Sequence, residues 1–537
     1  MSIPFINPSV KNTLAALASN DRENGIKSKF VADDNRVDHF TYDFEQFSID
    51  LSKTHISKEL LEVYEQFAGE IGFIGKREAF LAGERINNSE DRAVLHALLR
   101  DSSNQGIAMR DVDTLTQATE SKRQFVEQYH EIDSQLSQRE TPVRDIIHVG
   151  IGGSSLGTQL VFEALKELNA SIKVHFIGNI DAHQLVDVLS QCDAKSTLVV
   201  GVSKTFTTAE TLQNLDSIAS WFHANGIKDA LQHFYGVTAA PEKARLYGIA
   251  EGNIVSFPNW VGGRYSVWSS VSLSAALVIG IDKFDEFLQG AAEIDKHFYT
   301  CELSGNICFL SAMLDHYYVN FLDVQSRAIF AYDYRLRSLV DYLQQLETES
   351  NGKDRQRNGE PVDQKTSPVV WGGVGTDVQH SVFQMLHQGT SLIPSEFILV
   401  KTPDHNLLNH HQELLANGIA QTAALLDGQD RQTIDKIHVS DALTEQAKNA
   451  KIFSGDRPST TILLERLTPK SLGSLLAFYE HRTFCFGVFT NINSYDQMGV
   501  ELGKRLAKQV KPLLNNVETQ KSAEGFDPST LNLLAKI

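Results

Sequence analysis

The run Asp145-Ile-Ile-His-Val-Gly150 passes without a break into Ile151-Gly-Gly-Ser-Ser155 and then into LGTQLVFEALKEL (156–168). The first piece is apolar, rich in β-branched residues and too short for a free-standing helix. The last piece puts Leu156, Leu160, Val161, Ala164, Leu165 and Leu168 on one helical face. Strand, glycine/serine turn and helix thus follow one another directly. The unit recurs: KVHFIG (173–178) precedes DAHQLVDVLS, and TLVVGVS (197–203) precedes TAETLQNLDSIASWF. Strands that are unbroken apolar runs, alternating with helices, predict a parallel sheet covered on both faces.

Working outward, a second α/β region follows. SPVVWGG (367–373), SEFILV (395–400) and FCFGVFT (484–490) read as its strands, and DVQHSVFQMLHQG as a helix. Residues 266–350 and 1–120 read as largely helical, the latter from segments such as KELLEVYEQFAGEIG (58–72). The polar stretch 352–368 reads as a long loop or exposed hairpin, uncommon inside a compact domain and often functional. Asp527-Pro528 opens a short helix that runs to Ile537. The expected fold class is α/β, with two sheets in one chain.

Of 537 residues, 42% are hydrophobic and 22% charged, which excludes wholesale disorder. Lys and Arg number 49 against 67 Asp and Glu, a net charge of −18. That field repels phosphate backbones and excludes nucleic acid as an expected partner. An anionic substrate would need a local pocket of amides and cations. Cys192, Cys301, Cys308 and Cys485 form neither a disulfide framework nor a close metal-ligand pair in sequence, and read as free thiols in a reducing compartment. The first residues lack the pattern of a signal peptide, and the most apolar stretch, 271–281, is about half a membrane span. The expectation is a soluble, cytoplasmic protein with no membrane partner.

Several segments carry chemistry. In Gly150-Ile-Gly-Gly-Ser-Ser-Leu-Gly157 the glycines stand between strand and helix, where backbone amides favour an anion; a tight turn without ligand reads equally well. Ser155 occupies the place of the third glycine of a dinucleotide fingerprint. Thr158 and Gln159 replace the Lys-Ser/Thr of a nucleotide P-loop, which argues against a kinase. Ser203-Lys-Thr-Phe-Thr-Thr208 offers four hydroxyls at a second strand-to-helix turn, more than helix capping uses, and suits a phosphate monoester. Arg264, after Gly262 and Gly263, could stabilise an oxyanion or simply occupy a surface turn. Glu349 falls near a helix C-terminus, in a potential that suits a base, but Glu347 is equally available. His380 and His387, seven apart, would share one helix face. Lys504 lies on an amphipathic helix, and His405, His410 and His411 fit no metal-ligand spacing.

GIGGSSLG, SKTFTTAET, GGRYSVWSS, ESNGK, GTDVQH and YDQMGVELGK occur in that order between Gly150 and Lys504. Together they resemble the glucose-6-phosphate isomerase family over about two-thirds of the chain. The resemblance implies two sugar-isomerase α/β domains, at 121–285 and 286–512, each a mostly parallel sheet flanked by helices. An N-terminal helical segment, 1–120, would pack on the second lobe, and 513–537 would be a C-terminal arm. It implies isomerisation of glucose 6-phosphate to fructose 6-phosphate through a cis-enediol(ate), with no cofactor and no metal. Glu349 would be the base, Arg264 the stabiliser of the enediolate, and His380, helped by Lys504, the ring-opening group. Ser203, Thr205 and Thr208 would bind the phosphate, with Gly153, Ser154 and Lys204 nearby. Gln345 and Gln497 would hydrogen-bond the substrate, and Glu210 would orient His380. A homodimer with shared active sites, each taking His380 from the neighbouring subunit, is implied as well. Met498 departs from the tryptophan common at its position, and Ser155 from an acidic residue. Two other readings remain: an isomerase that also accepts mannose 6-phosphate, and a non-catalytic sugar-phosphate sensor.

Overall fold

The alternation of apolar runs and amphipathic segments resolves, in a computed structural model, into two sheets covered by helices. The structure describes residues 5–100, 112–167, 170–437, 443–515 and 525–537. Leu168, expected on the first helix face, lies outside them. The chain divides into two units, Met1–Ser494 and Tyr495–Ile537, and both sheets belong to the first.

Strands β1 (Thr41–Asp43) and β2 (Phe47–Asp50) form an antiparallel hairpin within the segment expected to be helical. β3 (Asp145–Val149), β4 (Lys173–Ile177), β5 (Thr197–Val202), β6 (Phe234–Thr238) and β7 (Ile254–Ser256) form the first sheet. It is parallel throughout, in the order β4-β3-β5-β6-β7. Every residue of β3 and β5 is buried, as unbroken apolar runs require. Ile147, Val149, Val199, Leu215, Ile218, Phe222 and Phe234 belong to one hydrophobic cluster. The chain leaves β3 for β4 on one side and later returns to β5 on the other. Their C-terminal ends therefore border a topological switch point, where open α/β sheets bind ligands.

β8 (Ser326–Tyr332), β9 (Val369–Val374), β10 (Ser395–Thr402) and β11 (Ser459–Arg466) form the parallel part of the second sheet, ordered β11-β10-β8-β9. The N-terminal hairpin extends it, with β2 antiparallel to β11.

The stretch 266–350 is largely helical, as expected, but also contains the strand β8. Another expectation is corrected. FCFGVFT is not a strand but the end of the helix Pro469–Phe489. That helix opens on a capping box between Thr468 and Ser471 and is buried along its whole length from Ser471 onward, so no face shows a period. It packs closely on the helix Ile281–Thr300. A Cβ at Gly473 would lie 1.9 Å from the Phe287 carbonyl oxygen, and one at Gly290 equally close to that of Lys470. Only glycine permits this approach. The segment 352–368 is a loop with one antiparallel bridge, Arg355 to Pro361.

Candidate active site

The two loops at the switch point are built differently. After β5, Ser203 is buried and Thr205 exposed. Ser203 Oγ lies 3.0 Å from Thr208 Oγ1, and Thr205 Oγ1 lies 2.7 Å from Thr207 Oγ1. Thr208 is the N-cap of the helix Ala209–Ala224, yet its side chain caps nothing. The first-turn N–H groups and the hydroxyls before them thus share one place, which is chemistry for an oxyanion rather than for capping. Lys204 turns away from this array: its Nζ donates to the Val261 carbonyl at 2.9 Å, and burial brings its pKa down to about 8.

After β3, Gly152–Ser154 is a short 3-10 turn. His148, wholly buried in β3, holds it from below, with its Nε2 2.7 Å from the Ser154 carbonyl oxygen and its Nδ1 2.9 Å from Ser274 Oγ. Burial lowers its pKa to about 4, so it is neutral, with Nε2–H donating and Nδ1 accepting from the serine. Gly153 lies against the third loop. A Cβ there would lie 2.2 Å from the Gly263 carbonyl carbon and 2.6 Å from the Arg264 nitrogen, so the glycine-serine loop and the GGRYS loop fit only backbone to backbone. Ser266 Oγ closes the contact by donating to the Gly153 carbonyl at 3.0 Å.

Arg264 is almost fully buried and its guanidinium fork is directed three ways. Nε donates to Ser350 Oγ at 2.7 Å, one terminal nitrogen to the Ser494 carbonyl at 2.6 Å, and the other lies 3.1 Å from Glu349 Oε1. Tyr265 Oη shares Ser350 Oγ at 2.9 Å. Glu349, with 21% of its side chain exposed against 2% for Arg264, is the member of the pair open to a ligand. Its other oxygen accepts from Gln345 Nε2 at 2.8 Å, and that nitrogen would meet a Cβ on Gly152 at 2.9 Å. Gln345–Glu349 is a single π-helical turn continuing the helix Leu339–Gln344. Glu347 does not share the site. It is buried with both oxygens on Arg327, at 2.5 and 2.6 Å, which removes it as an alternative base.

Residues 50–534 match the family model for phosphoglucose isomerase. The chain belongs to this family. It is 44% identical over 489 residues to the glucose-6-phosphate isomerase of Novosphingobium aromaticivorans, covering 91% of this chain and 90% of that protein. It is 40% identical over 521 residues to that of Francisella philomiragia, covering 95% and 96%. The crystal structure of a glucose-6-phosphate isomerase from Chlamydia trachomatis superposes with a TM-score of 0.84 at 29% identity, covering 99% of each chain.

Against the resemblance to phosphoglucose isomerases, the first unit brings together Glu349, Gln345, Arg264 and Gly153, and ties the loop of Ser203, Lys204, Thr205 and Thr208 to them through Val261. His380 ends the 3-10 turn Asp377–His380 after β9. It is exposed, and its ring makes no hydrogen bond to any of the described residues. It does not share a helix face with His387, as the spacing suggested, because the chain breaks before the separate helix Phe383–Gln388. His387 pairs instead with Gln421. Glu210, in the first turn of Ala209–Ala224, has no hydrogen bond to His380 within the chain. Gln497 and Lys504 belong to the second unit, where Gln497 precedes the helix Met498–Val510 and Lys504 pairs with Glu501 at 3.0 Å.

Sequence reasoning missed His148, Tyr265 and Ser350. An imidazole inside an otherwise apolar strand was the signal for the first. Among the described residues, Asp145, His175 and Cys192 form a metal-type group that linear spacing hid. It lies at the opposite end of β3 from the site. No described helix is long and apolar enough to cross a membrane.

Proposed function

We propose that this protein interconverts glucose 6-phosphate and fructose 6-phosphate as an intramolecular aldose–ketose isomerase of glycolysis and gluconeogenesis. The observation that carries this is the half-open Glu349 carboxylate 3.1 Å from buried Arg264, with a hydroxyl-lined helix N-terminus joined to the arginine's loop through Lys204. Aldose–ketose isomerisation needs a base, an oxyanion stabiliser and an anchor for the phosphate.

In this reading Ser203, Thr205 and Thr208 bind the phosphate, with Gly153, Ser154 and the Lys204 backbone beside them. Glu349 takes the C2 proton of the open-chain sugar, and the released electron pair forms the C1–C2 double bond. Negative charge moves to O1, where Arg264 offsets it and a proton from solvent completes the enediol. The O2 proton is then released to solvent, C2 becomes the carbonyl carbon, and Glu349 returns its proton to C1. Gln345 and Gln497 hydrogen-bond the substrate. His380, assisted by Lys504 and oriented by Glu210, opens the ring. The two lobes are the sugar-isomerase domains 121–285 and 286–512, with 1–120 and 513–537 appended. The protein acts in the cytoplasm as a homodimer in which each site borrows His380. The exposure of that histidine supports the exchange. The acidic surface keeps nucleic acid away.

The test is a coupled assay of fructose 6-phosphate conversion with chelator present, run beside binding of the sugar phosphate. Conversion is expected. Binding without conversion would instead support the sensor reading, and turnover of mannose 6-phosphate would widen the substrate class.

A further inference from the structure

Behind Glu349 lies a buried group of charges that the reaction itself does not use. Arg327, on β8, holds both oxygens of Glu347 and also pairs with Asp315 and, at 3.3 Å, with Glu396 of β10. Arg482, on the helix Pro469–Phe489, closes the group by binding Asp315 through two bonds of 2.7 Å and by pairing with Glu396. All five side chains are buried. Burying ions is expensive, and such clusters are poor stabilisers compared with apolar residues of the same volume; what they do supply is fixed geometry.

The geometry fixed here is that of the π-helical turn Gln345–Glu349. Single π-turns within α-helices are frequent at functional sites. Gln345 and Glu349, four apart, meet on the side facing Arg264, while Glu347 points away into the charges. The residues that follow are pinned as well, Ser350 by Arg264 and Asn351 by the Thr483 carbonyl at 3.0 Å.

We propose that Glu347 and Arg327 are positioning residues: their ion pair, in which one guanidinium nitrogen donates to both carboxylate oxygens, clamps the π-turn so that Glu349 is presented to the substrate's C1–C2 edge. This rests on Glu349 being the base.

The test uses glucose 6-phosphate deuterated at C2. For wild type, Glu347→Asp, Glu347→Gln and Glu396→Gln, it measures kcat, KM and the fraction of label delivered to C1 rather than lost to water. Glu347→Asp draws the turn back by one methylene. It is expected to lower kcat on the order of 10- to 100-fold, because displacing a reacting group by about 1 Å has that effect. KM should stay within about twofold, as phosphate binding is untouched, and the delivered fraction should fall. Glu347→Gln keeps the length and one acceptor, so it should lie between wild type and Glu347→Asp. Glu396→Gln disturbs the same cluster from β10 and should leave the delivered fraction at the wild-type value.

Partial unfolding lowers apparent kcat but cannot alter that fraction, so a purely structural role predicts no change in it. An unchanged fraction in Glu347→Asp, or an equal change in Glu396→Gln, overturns the clamp. If Glu347→Asp does not fold, Glu347→Gln decides by the same reading. A Glu349→Gln variant that still delivers label overturns the base assignment itself and is thereby told apart from failure of the clamp alone.

Discussion

Ser203 and Thr208 hydrogen-bond each other across the loop, leaving the helix N–H groups beside them uncapped. Ser203→Ala and Thr208→Val should therefore raise KM for either sugar phosphate by roughly 10-fold each, since a hydrogen bond to a charged group contributes about 1.5–3 kcal/mol. kcat should change little, and competitive inhibition by inorganic phosphate should weaken in parallel. This array was legible in the sequence because four hydroxyls in six positions exceed what capping uses. The base was not. Glu347 and Glu349 are the same residue type on one helix, and nothing local separates them. Arg327, twenty positions earlier in the chain, makes the choice by occupying Glu347. Ser350 was equally hidden, because its hydroxyl matters only where Arg264 and Tyr265 converge on it.

The site is a junction of loops rather than a property of any one of them. Gly153 and Gly263 meet through bare backbone, so Gly153→Ala forces a Cβ to within 2.2 Å of the Gly263 carbonyl carbon. Backbone cannot swing aside as a side chain can. The variant should lose kcat/KM by about 100-fold through displacement of Arg264, with a lowered Tm, both measurable on purified protein. Full activity would mean that the two loops are not interlocked. The strands before these loops could be read from the sequence because each is an apolar run bounded by turn residues. β8 was hidden because SRAIFAY follows three helices closely and is too short to show a period of its own. FCFGVFT misled for the converse reason. A helix buried on every side carries apolar residues all round, and a seven-residue window of it looks like a buried strand. The capping box at Thr468, sixteen residues upstream, was the available signal.

At the scale of the whole molecule, His55, His148, His297 and His316 are all drawn down to a pKa of about 4 by burial. Unfolded, each would titrate near 6.5, so between about pH 6.5 and 4 the unfolded chain binds more protons than the folded one. Stability is fully present above pH 6.5 and is lost as pH falls towards 4. Tm should decline across that window, and a flat profile would contradict the burial of these rings. That the chain holds two α/β sheets was legible from alternation alone, whereas the pairing of the N-terminal hairpin with β11 was not, since it joins segments about four hundred residues apart. Sharing of His380 makes a separate prediction. Glu349→Gln and His380→Ala homodimers, each nearly inactive, should regain about a quarter of wild-type activity after subunits are exchanged, because half the dimers then hold one intact site. No recovery in verified mixed dimers would place His380 in its own subunit's site.

In the proposed reaction Glu349 carries the proton between C2 and C1 of the sugar phosphate. The direct measurement is isomerisation of fructose 6-phosphate by wild type and by Glu349→Gln, which keeps size and hydrogen bonding but removes the base. The expected result is a loss of about 10²–10⁴ in kcat with KM little changed. A variant that turns over as fast as wild type would contradict it.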